Sequence, residues 1–160
     1  MEDKQVDNAG LMILPPFYPA MAWILALALD FVLPLPLLPS FGLAAWTFWV
    51  GAALAGLGGA VVVGGIRAFR AAGTHVEPNK PTVRIVTDGL YRFSRNPIYL
   101  GCLCFHVGLC LIVGLEWGLI LLPFIWLAFD RLVVVQEEAY LARKFGDDYR
   151  AYLGTTRRWL

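Results

Sequence analysis

The chain has 160 residues, 59% of them hydrophobic and 16% charged, and a net charge of +1. Soluble domains of this size carry about 25% charged and 45–50% apolar residues. The composition therefore argues against an ordinary soluble fold, and the near-neutral charge gives no footing for nucleic acid.

The apolar residues gather into long runs, the pattern of an all-α integral membrane protein. The polar, mostly acidic start MEDKQVDN predicts no cleavable leader. Four segments approach the roughly 20 apolar residues that a spanning helix needs: 17–38, 41–66, 98–115 and 117–136. The first should end in the cluster Pro34, Pro36 and Pro39. The second places Gly51, Ala55 and Gly59 four apart, a small-residue face that suits close helix packing within the chain or in a homodimer. The third contains Cys102, Cys104 and Cys110, which read as small hydrophobes and offer neither a disulfide framework nor a metal site. Only a few residues around Glu116 separate the third span from the fourth, which predicts a tight antiparallel hairpin. Beyond it, Leu141, Phe145, Tyr149 and Tyr152 share one face of a C-terminal amphipathic helix.

Charge sets the orientation. Lys4 precedes the first span. Arg67, Arg70, Lys80, Arg84, Arg92 and Arg95 lie between the second and third. Arg131, Arg143, Lys144, Arg150, Arg157 and Arg158 lie at or beyond the end of the fourth. The other two connections have no Lys or Arg, so both termini and the 67–96 segment are expected in the cytoplasm. The chain reads as one membrane domain, with a two-helix part at 1–66 and a functional core at 67–160. A prokaryotic inner membrane is the expected setting.

Two polar regions should meet on that cytoplasmic face. In YRFSRNPIYLG (91–101), Asn96-Pro97 reads as a helix start, with Asn at the N-cap and Pro at the first helical position. Its free N–H groups and dipole suit an anion; Tyr91, Tyr99 and Gly101 flank it. The second region is DRLVVVQEE (130–138). Asp130 and Glu137, like Arg131 and Glu138, are seven apart and so expected on one face. Ionisable groups inside a span are costly, which makes Asp130 and Arg131 candidates for function. Glu137 and Glu138 suit a ligand bearing hydroxyl or ammonium groups. His106 lies mid-span and is expected to be a hydrogen-bonded core residue, with Asp130 as a potential partner. His75 and Asp30 receive no role.

These residues resemble a known family. AGTHVEP, IVTDGLYRFSRNPIYLG, an apolar hairpin and then EExxLxxxFGxxYxxY look like the isoprenylcysteine carboxyl methyltransferases, which group with the membrane phospholipid methyltransferases. The resemblance covers roughly residues 67–160. It implies a membrane methyltransferase that uses S-adenosylmethionine and a lipophilic acceptor, prenylcysteine-like or a lipid headgroup, entering from the bilayer. Carried over by position, the cofactor-binding residues are Val83, Arg84, Ile85, Val86, Tyr91, Asn96, Tyr99, Glu137 and Glu138. Asn96 and Arg131 are the candidate catalytic residues, Arg131 as the group that orients an anionic acceptor. The sequence departs from the family where the characteristic histidine is Asn96, and where an arginine one turn before the glutamate is Val133. The alternatives are a sterol-reductase-like NADPH enzyme and a non-enzymatic scaffold.

Overall fold

The computed structural model describes residues 7–39 and 41–160. Lys4, counted above among the positive charges, lies outside the described residues. Every regular element among them is helical: α1 (Phe17–Val32), α2 (Trp46–Ala71), α3 (Pro97–Val113), α4 (Glu116–Ile120), α5 (Leu122–Ala128), α6 (Val135–Phe145) and α7 (Asp147–Thr155). A short 3₁₀ turn at Gly89–Arg92 precedes α3, and a π-helical segment at Phe129–Val134 joins α5 to α6.

Among the described residues, only α2 is both long and apolar enough by itself to cross a membrane. The first expected span is shorter than its apolar run. α1 stops at Val32, because Pro34, Pro36 and Pro39 cannot donate helical hydrogen bonds and disfavour helical residues before them. At 1.5 Å per residue it is about 24 Å long. The expected fourth span is not one α-helix either. It breaks at Leu121, just before Pro123 at the start of α5, and then widens into the π segment. The expected amphipathic helix is likewise two helices. Gly146 divides them with φ +55° and ψ −121°, a backbone state that favours glycine.

The tightest contact is between α2 and α3. Gly51, Gly58 and Gly65 of α2, seven apart, are buried; Gly51 and Gly58 meet Gly108 and Gly101 of α3, also seven apart, while Gly65 meets the Ile98 side chain. A Cβ at Gly58 would lie 2.5 Å from the Phe105 nitrogen and 2.6 Å from the Gly101 oxygen. One at Gly108 would lie 2.6 Å from the Gly51 oxygen and nearer still to the Ala55 nitrogen. Backbone thus packs on backbone, as small residues permit. The face differs from the one expected: Gly59 lies beside the seam, where a Cβ would meet only the Phe105 ring at 4.0 Å. The glycine face of α2 is filled by α3 of the same chain.

α1 packs against α4 and α5. The connection after α1 is tied to the turn after α3. Glu116 is buried and accepts hydrogen bonds from the Leu37 and Leu38 N–H groups (3.0 and 2.9 Å). Trp117 donates its indole N–H to the Leu33 carbonyl at 2.7 Å. Leu103, Ile125, Phe129 and Val133 form the core that joins α3 to the α5–π segment. Away from it the surface is strongly apolar, with Phe31 91% and Ile24 70% exposed. Each such side chain forgoes about 1.5–3 kcal/mol if left in water; facing lipid it forgoes none.

Candidate active site

A cavity of about 990 Å³ runs from the polar region before α3 into the space between α1, α2 and α3. Its inner arm is apolar and includes Trp23, Val62, Val63, Phe105 and Leu109. Its outer end holds most of the polar residues singled out above: Arg84, Tyr91, Asn96, Tyr99, Glu137 and Glu138, with Ile85 and Val86. Val83 is not on the wall. Its side chain is exposed and its N–H donates to the Thr74 hydroxyl at 2.8 Å, closing the loop.

Tyr91 is buried in the 3₁₀ turn, its ring 5.3 Å from that of Phe69. Its carbonyl accepts the Tyr152 hydroxyl at 2.7 Å, which ties α7 to the turn. Burial pushes the Tyr91 phenol well above its ordinary value, so it is a neutral donor at any working pH.

Asn96 precedes α3 and Pro97 is its first residue, as expected, but the Asn96 side chain caps nothing. Its amide donates instead to the Arg158 carbonyl at 3.0 Å, while its own N–H donates to the Ser94 hydroxyl at 3.1 Å. No side chain caps the first turn of α3, where Ile98 and Tyr99 lie on the cavity wall. An uncapped N-terminus suits an anionic group.

The two glutamates have different surroundings. Glu137 accepts the Tyr99 hydroxyl on Oε1 at 2.7 Å and faces the cavity. Burial raises its carboxyl to about 7; the Tyr99 hydrogen bond opposes the rise and the neighbouring Glu138 charge adds to it. Glu138 is held by two arginines. Arg95 donates at 2.9 Å from Nη2, and Arg158 donates at 2.6 Å to the other oxygen.

Arg131 is not part of this arrangement. Its side chain is 71% exposed, pairs with Asp130 at 3.2 Å and is absent from the cavity wall. The π segment is the reason: it absorbs an extra residue, so the expected pairing at a spacing of seven fails. Asp130 and Glu138, eight apart, share a partner instead, since Arg158 also donates to Asp130 at 3.2 Å. Asp130 further accepts the Trp159 indole N–H at 2.9 Å. It does not pair with His106, which hydrogen-bonds the Gly118 carbonyl at 2.9 Å and meets Trp23 edge-on.

Sequence reasoning missed three contributors. The sequence counts Arg95 and Arg158 only among the charges that set orientation; Arg95, beside Asn96, was a signal for a partner to the acidic pair, but no local pattern marks Arg158. The N-terminal strap was also missed. Asp7 accepts from Tyr140 (2.8 Å) and Lys144 (2.7 Å), and Ala9 N–H donates to the Pro78 carbonyl at 3.2 Å. Ala9, Leu14, Pro15 and Pro16 of this strap then form part of the cavity wall. Among the described residues, no cluster of three His, Cys, Asp or Glu side chains is placed to hold a metal ion.

Comparison with known proteins adds two findings. The family model described as phospholipid methyltransferase matches residues 46–148, well over half of the chain. The protein-S-isoprenylcysteine O-methyltransferase of the fission yeast Schizosaccharomyces pombe is 34% identical over 68 residues, 42% of this chain and 29% of that one. The match thus spans less than a third of that relative's length. No solved structure matches the chain.

Proposed function

Because the chain belongs to the phospholipid methyltransferase family, we propose that it is an integral-membrane enzyme that methylates a lipophilic acceptor with S-adenosylmethionine. The observation that carries this reading is one continuous cavity, polar at one end and apolar along its arm. An amphiphilic pair of reactants needs such a shape: one wet and charged, the other greasy.

The residues present fit the cofactor. The uncapped first turn of α3 suits its carboxylate. Glu137, with one oxygen held by Tyr99, suits its ammonium or ribose hydroxyls; Ile85 and Val86 offer an apolar wall for adenine. Tyr91 lines the pocket as a neutral donor. Glu138 shapes the pocket through its arginines, and Asn96 through the Arg158 carbonyl. S-adenosylmethionine, when bound, supplies an electrophilic methyl group on a sulfonium. What the protein adds is positioning and exclusion of water, and no covalent enzyme intermediate is required. Arg131, outside the cavity, has no part in this reading.

Four membrane crossings with both termini cytoplasmic complete the proposal. Supporting it are the apolar exposed faces and the segregation of Lys and Arg described above. The acceptor would reach the apolar arm sideways from the bilayer, between α1 and α2. The test is calorimetric titration of detergent-purified protein with S-adenosylhomocysteine, with NADPH run alongside. Saturable binding of the former, weakened at least tenfold in Glu137→Ala, is expected, since hydrogen bonds to charged groups contribute about 1.5–3 kcal/mol. Binding of NADPH alone would replace this reading with a reductase, and binding of neither would leave a scaffold.

A further inference from the structure

The C-terminal tail lies outside the family match, which ends at residue 148, yet it closes on the site. Arg95 N–H donates to the Arg157 carbonyl at 2.9 Å. The Ser94 hydroxyl and the Asn96 amide both donate to the Arg158 carbonyl, at 3.2 and 3.0 Å. The backbone of Arg158 is thereby fixed to the start of α3. Its guanidinium reaches the other way, to Asp130 within the π segment and to Glu138 just beyond it.

The geometry of that bridge depends on the π segment. On a straight α-helix, residues eight apart point about 80° away from each other. One extra residue absorbed in a π turn makes eight behave as seven, which restores a common face. A single guanidinium can hold both carboxylates only in the π register. The same register sets where Glu137 points. Were the extra residue expelled, everything after it would rotate by about 100°, and Glu137 would leave Tyr99 and the cavity.

We propose that Arg158 is a positioning residue: it locks the π register between Asp130 and Glu138 and so aims Glu137 at the ligand. The inference rests on the methyltransferase reading, in which Glu137 holds the cofactor. Asp130 therefore has a task that needs no contact with substrate, which explains a carboxylate buried at this depth. Trp159 assists, since its indole holds the same Asp130 oxygen at 2.9 Å.

The test uses the full chain in detergent, with S-adenosylhomocysteine as the probe and melting temperature measured in parallel. Arg158→Ala is expected to weaken binding by about tenfold or more in the folded fraction, because small misplacements of a ligand group are costly. Arg158→Lys should recover part of the loss, since an ammonium lacks the fork that spans two carboxylates. Trp159→Phe should weaken binding less than Arg158→Ala does. A purely structural tail would lower the melting temperature and leave the dissociation constant of the folded protein unchanged. Binding by Arg158→Ala within twofold of wild type would overturn the proposal. If that variant does not fold, wild-type affinity in Arg158→Lys overturns it instead. Loss of binding in Glu137→Ala with normal binding in Arg158→Ala would reject the positioning role alone. No binding by the wild-type chain would reject the methyl-donor reading itself.

Discussion

Two halves of the molecule are held together by opposite means. The α2–α3 pair is joined where side chains are missing: Gly51 and Gly58 of one helix and Gly101 and Gly108 of the other let backbone meet backbone. The α4–α7 arm is broken at Leu121, widened at Phe129–Val134 and divided at Gly146. Its end is stitched to α3 by arginines, carboxylates and tyrosines. The first half is a rigid wall for the cavity. The second carries Glu137 and Glu138 to the cavity wall, and its shape depends on a few polar contacts that substitutions can remove one by one.

The difference is tested most severely at the seam. Gly108→Val would drive a branched side chain into the backbone of Gly51 and Ala55. Overpacking costs about 1–3 kcal/mol when side chains can yield, and backbone cannot, so this variant should fail to fold or melt far below wild type. Gly56, in α2, has nothing within 4 Å of its Cβ position. Gly56→Ala should be neutral or stabilise by up to about 1 kcal/mol. Thermal unfolding of both in one detergent decides it; equal melting temperatures would show that the seam is not the rigid element.

How far the sequence revealed these halves follows from the range of the forces involved. The start of α3 at Pro97 was legible because Asn-Pro is a local signal. The small-residue character of α2 was legible too, but not its phase: Gly51, Ala55 and Gly59 were expected to share the seam. Two long helices select the seven-residue repeat Gly51, Gly58 and Gly65 only when the partner's glycines are taken with them. Proline and glycine signals at Pro123 and Gly146 were present, yet a strong hydrophobic or amphipathic pattern ran across each. The π segment has no local signature at all. It is held from 20 to 28 residues away, by Arg158 to Glu138 and Asp130, so Arg131 looked like the better candidate on a regular helical wheel.

The polar half should be sensitive to pH in a way the seam is not. Burial raises Glu137 from 4.5 to about 7, so in that interval the folded apo protein binds more protons than the unfolded chain. Its stability should therefore fall as pH rises between those values. Binding that needs the carboxylate runs the other way, strengthening as pH rises through about 7. Tyr99→Phe removes the hydrogen bond that favours the anion. Its binding midpoint should lie above that of wild type, with affinity at neutral pH several-fold weaker and affinity at high pH partly recovered. Titrations with S-adenosylhomocysteine from pH 6 to 9 would show this; identical midpoints would mean that another group governs the ligand.

The smallest effect is expected at the N-terminal strap, where the polar half relies on an exposed contact. Lys144 and Tyr140 hydrogen bonds lower the Asp7 carboxyl from its ordinary 3.8. A depressed carboxylate contributes fully above its unfolded value and loses that contribution as pH falls through the lower, folded one. The strap should thus stay latched at neutral pH and loosen only in strong acid. Asp7→Asn should raise exchange at the Ala9 amide, which donates to Pro78, by a few-fold at most, since exposed ion pairs contribute little. In wild type the Ala9 protection factor should drop below about pH 4, near the unfolded carboxylate value, and in Asp7→Asn this acid step should be absent. No acid step in either protein would show that the strap is held instead by the Asn8 side-chain amide on the Asn79 carbonyl and by the Ala9–Pro78 backbone hydrogen bond, neither of which titrates. The cavity's outer wall would then be as indifferent to single charges as the glycine seam.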